Sequence, residues 1–439
     1  MSNIILTALL VIFCCSSILT QDNSNSYTVT FLFLVLMCQN IYYLNFRGGA
    51  NFNCYKVYFV FSFIFMAFIP YLHFAAGKVF WGAPQPSIND YIYTLSALLC
   101  FNFIFAFTYN YNLNLSNTKY LNFKSELKFD KDSLFVLLIV LTLLVLTISH
   151  VLKHISNPLS LLLRVESDQL VEWNSSNQPI LLIINRFTLF FPLFAALFIG
   201  KYVDSLKLKT LTLICLLICA FPLAISRYAV AGIYLPILFF YFPRLLIGRK
   251  MQYMMIFSIC TIFPFLDQFR KFDPDSKINI LPSVDFFYYP HFDAFQNLLS
   301  SLSSNFITYG YQLLGSIFFF IPRLIWPSKP VGSGAQLAIN QDYFFANISM
   351  PLVGEAYINF GVLGIFFVPL LLGVTIRKLD TGFWNSQYRN SDLELFYIYL
   401  LGYFTFILRG DLLSSWAYFC AGIFSYFLIN FFKKLKVKI

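Results

Sequence analysis

Several short stretches of this sequence set ionisable side chains among apolar neighbours, where a charge is costly and often functional. Arg227, after Ile225-Ser226, sits at the tip of an almost uninterrupted apolar hairpin; function and simple snorkelling to headgroups both account for it. Arg186 lies about two turns inside an apolar run and needs a partner or a watery cavity. The run Ile321-Pro322-Arg323 to Trp326-Pro327-Ser328-Lys329-Pro330 spaces two cations among three prolines, which stiffen the backbone between them. A guanidinium fork grips phosphate with two parallel bonds and an ammonium adds a point charge, although a membrane-interface belt also uses Trp and Arg. Glu355, in Gly354-Glu355-Ala356-Tyr357, opens an apolar segment, where a carboxylate is kept protonated or paired. A raised pKa there suits a general base for a hydroxyl, and a structural ion pair with Arg323 or Arg409 is as good a reading. Arg409-Gly410-Asp411 caps a further hairpin, where a turn needs Gly and a polar residue in any case. His291 and Asp293 can serve acid–base chemistry or pack structurally among aromatics.

These residues depend on the elements around them. Of 439 residues 59% are hydrophobic and only 11% charged, against about 25% charged in soluble domains. Apolar runs long enough to cross a bilayer fall near 3–20, 27–46, 57–76, 90–111, 134–151, 179–200, 210–225, 229–243, 251–266, 350–376, 392–408 and 412–432. The expected fold is all-α: a polytopic transmembrane bundle of about 12 crossings forming one integral domain over residues 1–439. The run at 3–20 lacks a basic leader and a small-residue cleavage site, so it is expected to be a retained crossing. With the N-terminus in the cytoplasm, 19 of the 30 basic residues face inward and 10 outward, and Arg186 lies within a crossing. That bias holds only if Ile307 to Trp326 does not cross, so this stretch is expected to be a re-entrant or interfacial helix. Two long extracytoplasmic loops follow, 152–178 and 267–349, the second too aromatic to be disordered.

The formal charge of +10 is dealt out between apolar runs, which speaks for topology and against nucleic acid as a partner. All nine cysteines lie in or beside apolar runs, so neither a disulfide framework nor a thiolate metal site is expected. Asp273-Pro274-Asp275 is a chance-level match to a metal-holding pattern, and His150 and His154 lack the Glu of a zinc-protease motif.

Between Ser226 and Asp411 the chain resembles the bacterial oligosaccharide repeat-unit polymerases, the Wzy-type O-antigen polymerases. The resemblance rests on Ser226-Arg227, His291-Phe292-Asp293 before a serine-rich helix, Ile321-Pro322-Arg323 with Trp326-Pro327-Ser328-Lys329-Pro330, Gly354 to Gly361 with Gly364, and Leu408-Arg409-Gly410-Asp411. The resemblance implies a glycosyltransferase of the bacterial inner (cytoplasmic) membrane, active on its extracytoplasmic face. Its donor and acceptor would both be oligosaccharides linked to undecaprenyl pyrophosphate, its surroundings membrane lipid, and a chain-length regulator a further partner. Neither cofactor nor metal is called for. Arg227, Arg323, Lys329 and Arg409 are candidates to hold the departing pyrophosphate. Glu355 is the first candidate for the base, then Asp293 or His291; Arg186, Asp411 and Tyr357 are supporting candidates. A flippase of lipid-linked sugars and an O-antigen ligase are the alternatives left open.

Overall fold

Helix signals recur through the computed structural model, which describes residues 27–115, 121–123, 125, 127–162, 179–267, 284–385 and 391–435. The expected crossing at 3–20 and the Asp273-Pro274-Asp275 motif lie outside the described residues. Those described form helices and connections with no strand, as an apolar chain that must satisfy its own backbone in lipid requires. Among the described residues six helices are long and apolar enough to cross a membrane: α1 (Tyr27–Phe46), α2 (Cys54–Ala75, with a π-helical turn over Ser62–Phe68), α3 (Ile88–Asn110), α4 (Leu134–Lys153), α13 (Val362–Trp384) and α15 (Leu412–Leu435). Among them lie α5 (Pro179–Tyr202), α6 (Leu206–Cys219), α7 (Arg227–Tyr241), α8 (from Lys250–Phe257 through the π-turn Ser258–Ile262 to Phe263–Asp267) and α14 (Leu393–Arg409). Short helices α9 (Ala294–Ser303), α10 (Tyr311–Ile317), α11 (Ser333–Asn340) and α12 (Leu352–Phe360) fill the segment before α13.

Local chemistry sets the helix ends. Ser87 and Asp90 form a reciprocal capping box at the start of α3. Asn53 caps α2 by accepting from the Lys56 N–H, while the fully buried Lys56 ammonium donates to the carbonyls of Leu44 and Arg47 that α1 leaves open. Asp380 of α13 binds four elements together, accepting 2.7 Å hydrogen bonds from Tyr109 and Tyr397 and two more from the N–H groups of Cys54 and Tyr55. Small residues let the helices close up. A Cβ on Gly232 of α7 would sit 2.9 Å from the Tyr403 ring, and one on Gly402 of α14 would sit 2.7 Å from Pro236. The antiparallel α7–α14 pair therefore brings Arg227, which opens α7, and Arg409, which ends α14, to the same end of the bundle.

The expected crossing at 350–376 is not one helix. It breaks at Gly361, whose φ of 61° suits glycine, and a Cβ on Gly364 would sit 1.9 Å from the Ala356 carbonyl oxygen. The continuous apolar helix is α13, and α12 is a nine-residue arm folded back beside it. Within the stretch 307–326 only Tyr311–Ile317 is α-helical, about 10 Å long and too short to cross. The runs at 210–225 and 229–243 form helices of 14 and 15 residues, α6 and α7. The loop 152–178 is described as far as Leu162 and carries a 3-10 turn at Pro158–Leu161.

Candidate functional site

Where α7 and α14 end, their arginines meet the Pro290-His291-Phe292-Asp293 turn that leads into α9. Arg409 donates through Nε and Nη2 to the His291 carbonyl at 3.2 and 2.9 Å, and through Nη2 to Asp293 Oδ1 at 3.0 Å. Its guanidinium also lies over the Tyr228 ring, 4.6 Å from the centroid. Asp293 is 1% exposed, and its remaining capacity is taken up by Ser349 Oγ at 2.6 Å, Asn297 Nδ2 at 3.0 Å and, at 3.4 Å, the Ser349 N–H and the Trp81 indole. A carboxylate so occupied orients Arg409 and has no lone pair to spare for a substrate proton. Arg227 Nη2 lies 3.4 Å from His291 Nε2, and its guanidinium packs over Phe286 at 5.4 Å.

Arg227 and His291 also form the polar mouth of an apolar groove of about 650 Å³. Phe61 and Phe65 of α2, Tyr234 and Leu238 of α7, and Met251 and Met255 of α8 make its walls, and it reaches Phe242 at the far end of α7. At 1.5 Å per residue that is about 22 Å of helix, most of a bilayer's hydrocarbon thickness.

Glu355 and Asp411 form a second centre on the other side of the Arg409–Leu412 corner. Glu355, 3% exposed, accepts from the Leu412 N–H at 2.8 Å and bonds Ser333 Oγ at 2.7 Å. Asp411 accepts from the Gly334 and Leu413 N–H groups at 2.9 and 3.0 Å. The start of α11 and the start of α15 are thus joined through two carboxylates, each near the positive end of a helix. No ion pair of Glu355 with Arg323 or Arg409 forms: backbone N–H groups and hydroxyls satisfy it instead. α12 lies outside the membrane-length helices, and here burial and the neighbouring Asp411 carboxylate raise the Glu355 pKa to about 8. Asp411 is raised too, mainly by burial, although backbone N–H groups offset part of it.

A folded-state pKa above the unfolded one favours the fold most at low pH, and that gain disappears as pH rises through about 8. Purified protein is therefore expected to lose melting temperature from about pH 4.5 up to about 8, and Glu355→Gln to flatten that slope. A thermal melt by tryptophan fluorescence checks this; a Gln variant with the wild-type slope contradicts it.

The remaining candidates sit elsewhere. Arg323 is exposed and donates to the carbonyls of Lys329 and Pro330, while Lys329, 8% exposed, turns its ammonium to the carbonyls of Phe319 and Ile321. Burial and the neighbouring Arg323 lower the Lys329 pKa. These two cations hold their own Pro-rich loop together, while Arg227 and Arg409 meet at the His291 turn. Arg186 finds its partner in the Tyr418 ring, 3.8 Å away, and Tyr357 donates to Asn305 at 3.1 Å. Trp81 and Ser349 around Asp293 are not legible in the sequence, because they come from segments far from it in the chain, whereas Asn297 lies one helical turn beyond Asp293.

Fold and site together define a membrane-embedded protein, all-helical among the described residues, in which Arg227 and His291 line an apolar groove and the Arg409–Asp293 pair holds the His291 turn. The chain matches no protein-family model, no curated protein and no solved structure.

Proposed function

We propose that this protein is a membrane glycosyltransferase that polymerises lipid-linked oligosaccharide repeat units, passing a growing chain from undecaprenyl pyrophosphate to a repeat unit on the same lipid. One observation carries the reading: a long apolar groove is lined at one end by Arg227 and His291, with Arg409 bonded to the carbonyl of that same histidine. A polyprenyl tail needs such a groove, and the diphosphate at its head needs such a mouth. In the reaction an acceptor hydroxyl oxygen bonds the donor's anomeric carbon, the carbon–oxygen bond to the pyrophosphate breaks, and the electron pair leaves with the phosphate. Charge therefore builds on phosphate oxygens, and preorganised guanidinium groups in a water-poor site stabilise it.

Arg409 is fixed by Asp293 and the His291 carbonyl, whereas Arg227 lies at the groove wall, where a phosphate would arrive. For the hydroxyl proton the geometry favours His291 over Glu355 and Asp293. His291 borders the groove mouth, whereas both carboxylates are buried and engaged by protein donors. The active face is extracytoplasmic and the membrane the bacterial inner one in this reading, in line with the charge bias of the loops.

The test offers purified protein in vesicles only lipid-linked repeat units. A ladder of lengthened, lipid-linked chains is expected. Movement of lipid-linked sugar across the bilayer without lengthening would make the protein a flippase, and transfer only after lipid A core is added would make it a ligase.

A further inference from the structure

Trp81 stands apart from every other bulky residue near the site. Its φ of 63° is a left-handed conformation that a tryptophan rarely adopts, and Gly82 follows at 75°. Such an outlier persists only where its surroundings hold it. Here Gln296 clamps the preceding residue, accepting from the Phe80 N–H at 2.7 Å and donating to the Phe80 carbonyl at 3.1 Å. The Trp81 carbonyl accepts from the Phe344 N–H at 3.2 Å. The result is that the indole reaches Asp293 with its N–H and stacks on Phe345, ring centroids 4.6 Å apart at 23°, with Phe344 set edge-on at 6.1 Å.

These three rings form one aromatic surface attached by hydrogen bond to the residue that orients Arg409. The surface is open: Phe344 is 79% exposed and Phe345 41%. Asn340 and Asp342 are exposed in the same turn. Open aromatic faces with an exposed amide and an exposed carboxylate two to five residues away in the chain match a pyranose, whose axial C–H groups present an apolar face and whose hydroxyls ring it. A lipid chain would meet only half of that chemistry.

We propose that Trp81, Phe344 and Phe345 form the floor of a sugar subsite on which a pyranose ring of the oligosaccharide stacks beside the Arg409–Asp293 pair. This assignment rests on the function proposed above. Phe344 and Phe345 bind the ring, whereas Trp81 is a positioning residue that also ties the floor to Asp293.

The probe is the reducing oligosaccharide released by mild acid from the lipid-linked pool of the cells that make the protein, observed by saturation-transfer NMR with the protein in detergent. Saturation of ring C–H protons is expected with wild type. A Phe344→Ala/Phe345→Ala variant, at exposed positions where truncation costs the fold little, is expected to weaken binding at least tenfold. In the elongation assay the same variant raises the KM for the lipid-linked repeat unit with kcat little changed. Trp81→Phe, which keeps a ring and loses the N–H, lowers kcat with KM near wild type. The subsite is overturned if wild type shows no saturation transfer, or if the double variant binds the sugar within twofold of wild type, as rings that serve only to anchor the loop in lipid would give. Elongation with an unchanged KM in the double variant removes the subsite and leaves the polymerase reading standing. Sugar binding that depends on the rings in a protein that never elongates does the reverse.

Discussion

Arg409→Ala is expected to reduce the polysaccharide ladder to single repeat units and also to lower the melting temperature of the purified protein. Two separate effects follow from one guanidinium. As a phosphate ligand, its removal should slow transfer by about 10²–10³-fold, the usual cost of deleting one preorganised donor from a developing anion. As the partner of Asp293, it leaves a carboxylate that is 1% exposed without its cation. Breaking a buried pair from one side costs about 3–5 kcal/mol. The effects separate in a double variant. With Asp293→Asn added, no buried charge is stranded: an amide oxygen in the Oδ2 position still accepts from Trp81, Asn297 and the Ser349 N–H, and the Ser349 hydroxyl can accept from the amide N–H. Thermal stability should recover while the ladder does not. Long chains from Arg409→Ala would remove this residue from the chemistry. A double variant as unstable as the single one would show that the charge of Asp293 is not what the loss exposes.

Why was the corner at Arg409 legible in the sequence and the floor at Trp81 not? Hydropathy reads runs, and the runs that became α1 to α4 and α15 agree with it to within a few residues. A charge between two such runs must lie at a helix end, so Arg227, Arg409 and Asp411 could be placed with no knowledge of the packing. Hydropathy cannot see a break inside a run. The apolar character of 350–376 continues straight through Gly361, and only the left-handed backbone and the seat of Gly364 on the Ala356 carbonyl turn α12 back. Glu355 consequently lies at the start of α15, in a contact that no local pattern encodes.

Charge type is visible in a sequence and charge partner is not. Lys329 reads as a candidate phosphate ligand, and its ammonium donates in the fold to two carbonyls of its own loop. Asp380 has no partner near it in the sequence, and in the fold it accepts from two tyrosines and the start of α2. Trp81 belongs to a short loop between α2 and α3, some two hundred residues before the turn it supports. Its role comes wholly from the tertiary fold.

Arg227 should behave differently from Arg409, and the difference tests whether the groove mouth receives the phosphate. Its guanidinium faces an imidazole and the Phe286 ring at the wall of the groove, apart from the buried Asp293 that holds Arg409. Truncation leaves the buried Arg409–Asp293 pair intact, and Arg227→Ala is expected to insert and to lose less melting temperature than Arg409→Ala. Activity should still fall by about 10²–10³-fold, because a cation beside the departing diphosphate is lost. Arg227→Lys sharpens the test. An ammonium keeps the charge but lacks the planar fork, so a bidentate grip on phosphate predicts only partial recovery, whereas a purely long-range field predicts nearly full activity. The measurement is single-turnover elongation of lipid-linked repeat units, compared with the melt of the same preparations. Full ladders from Arg227→Ala would mean that the groove ends at a structural cation. The diphosphate would then have to be sought at Arg409 alone, and the apolar groove would lose its claim on the lipid.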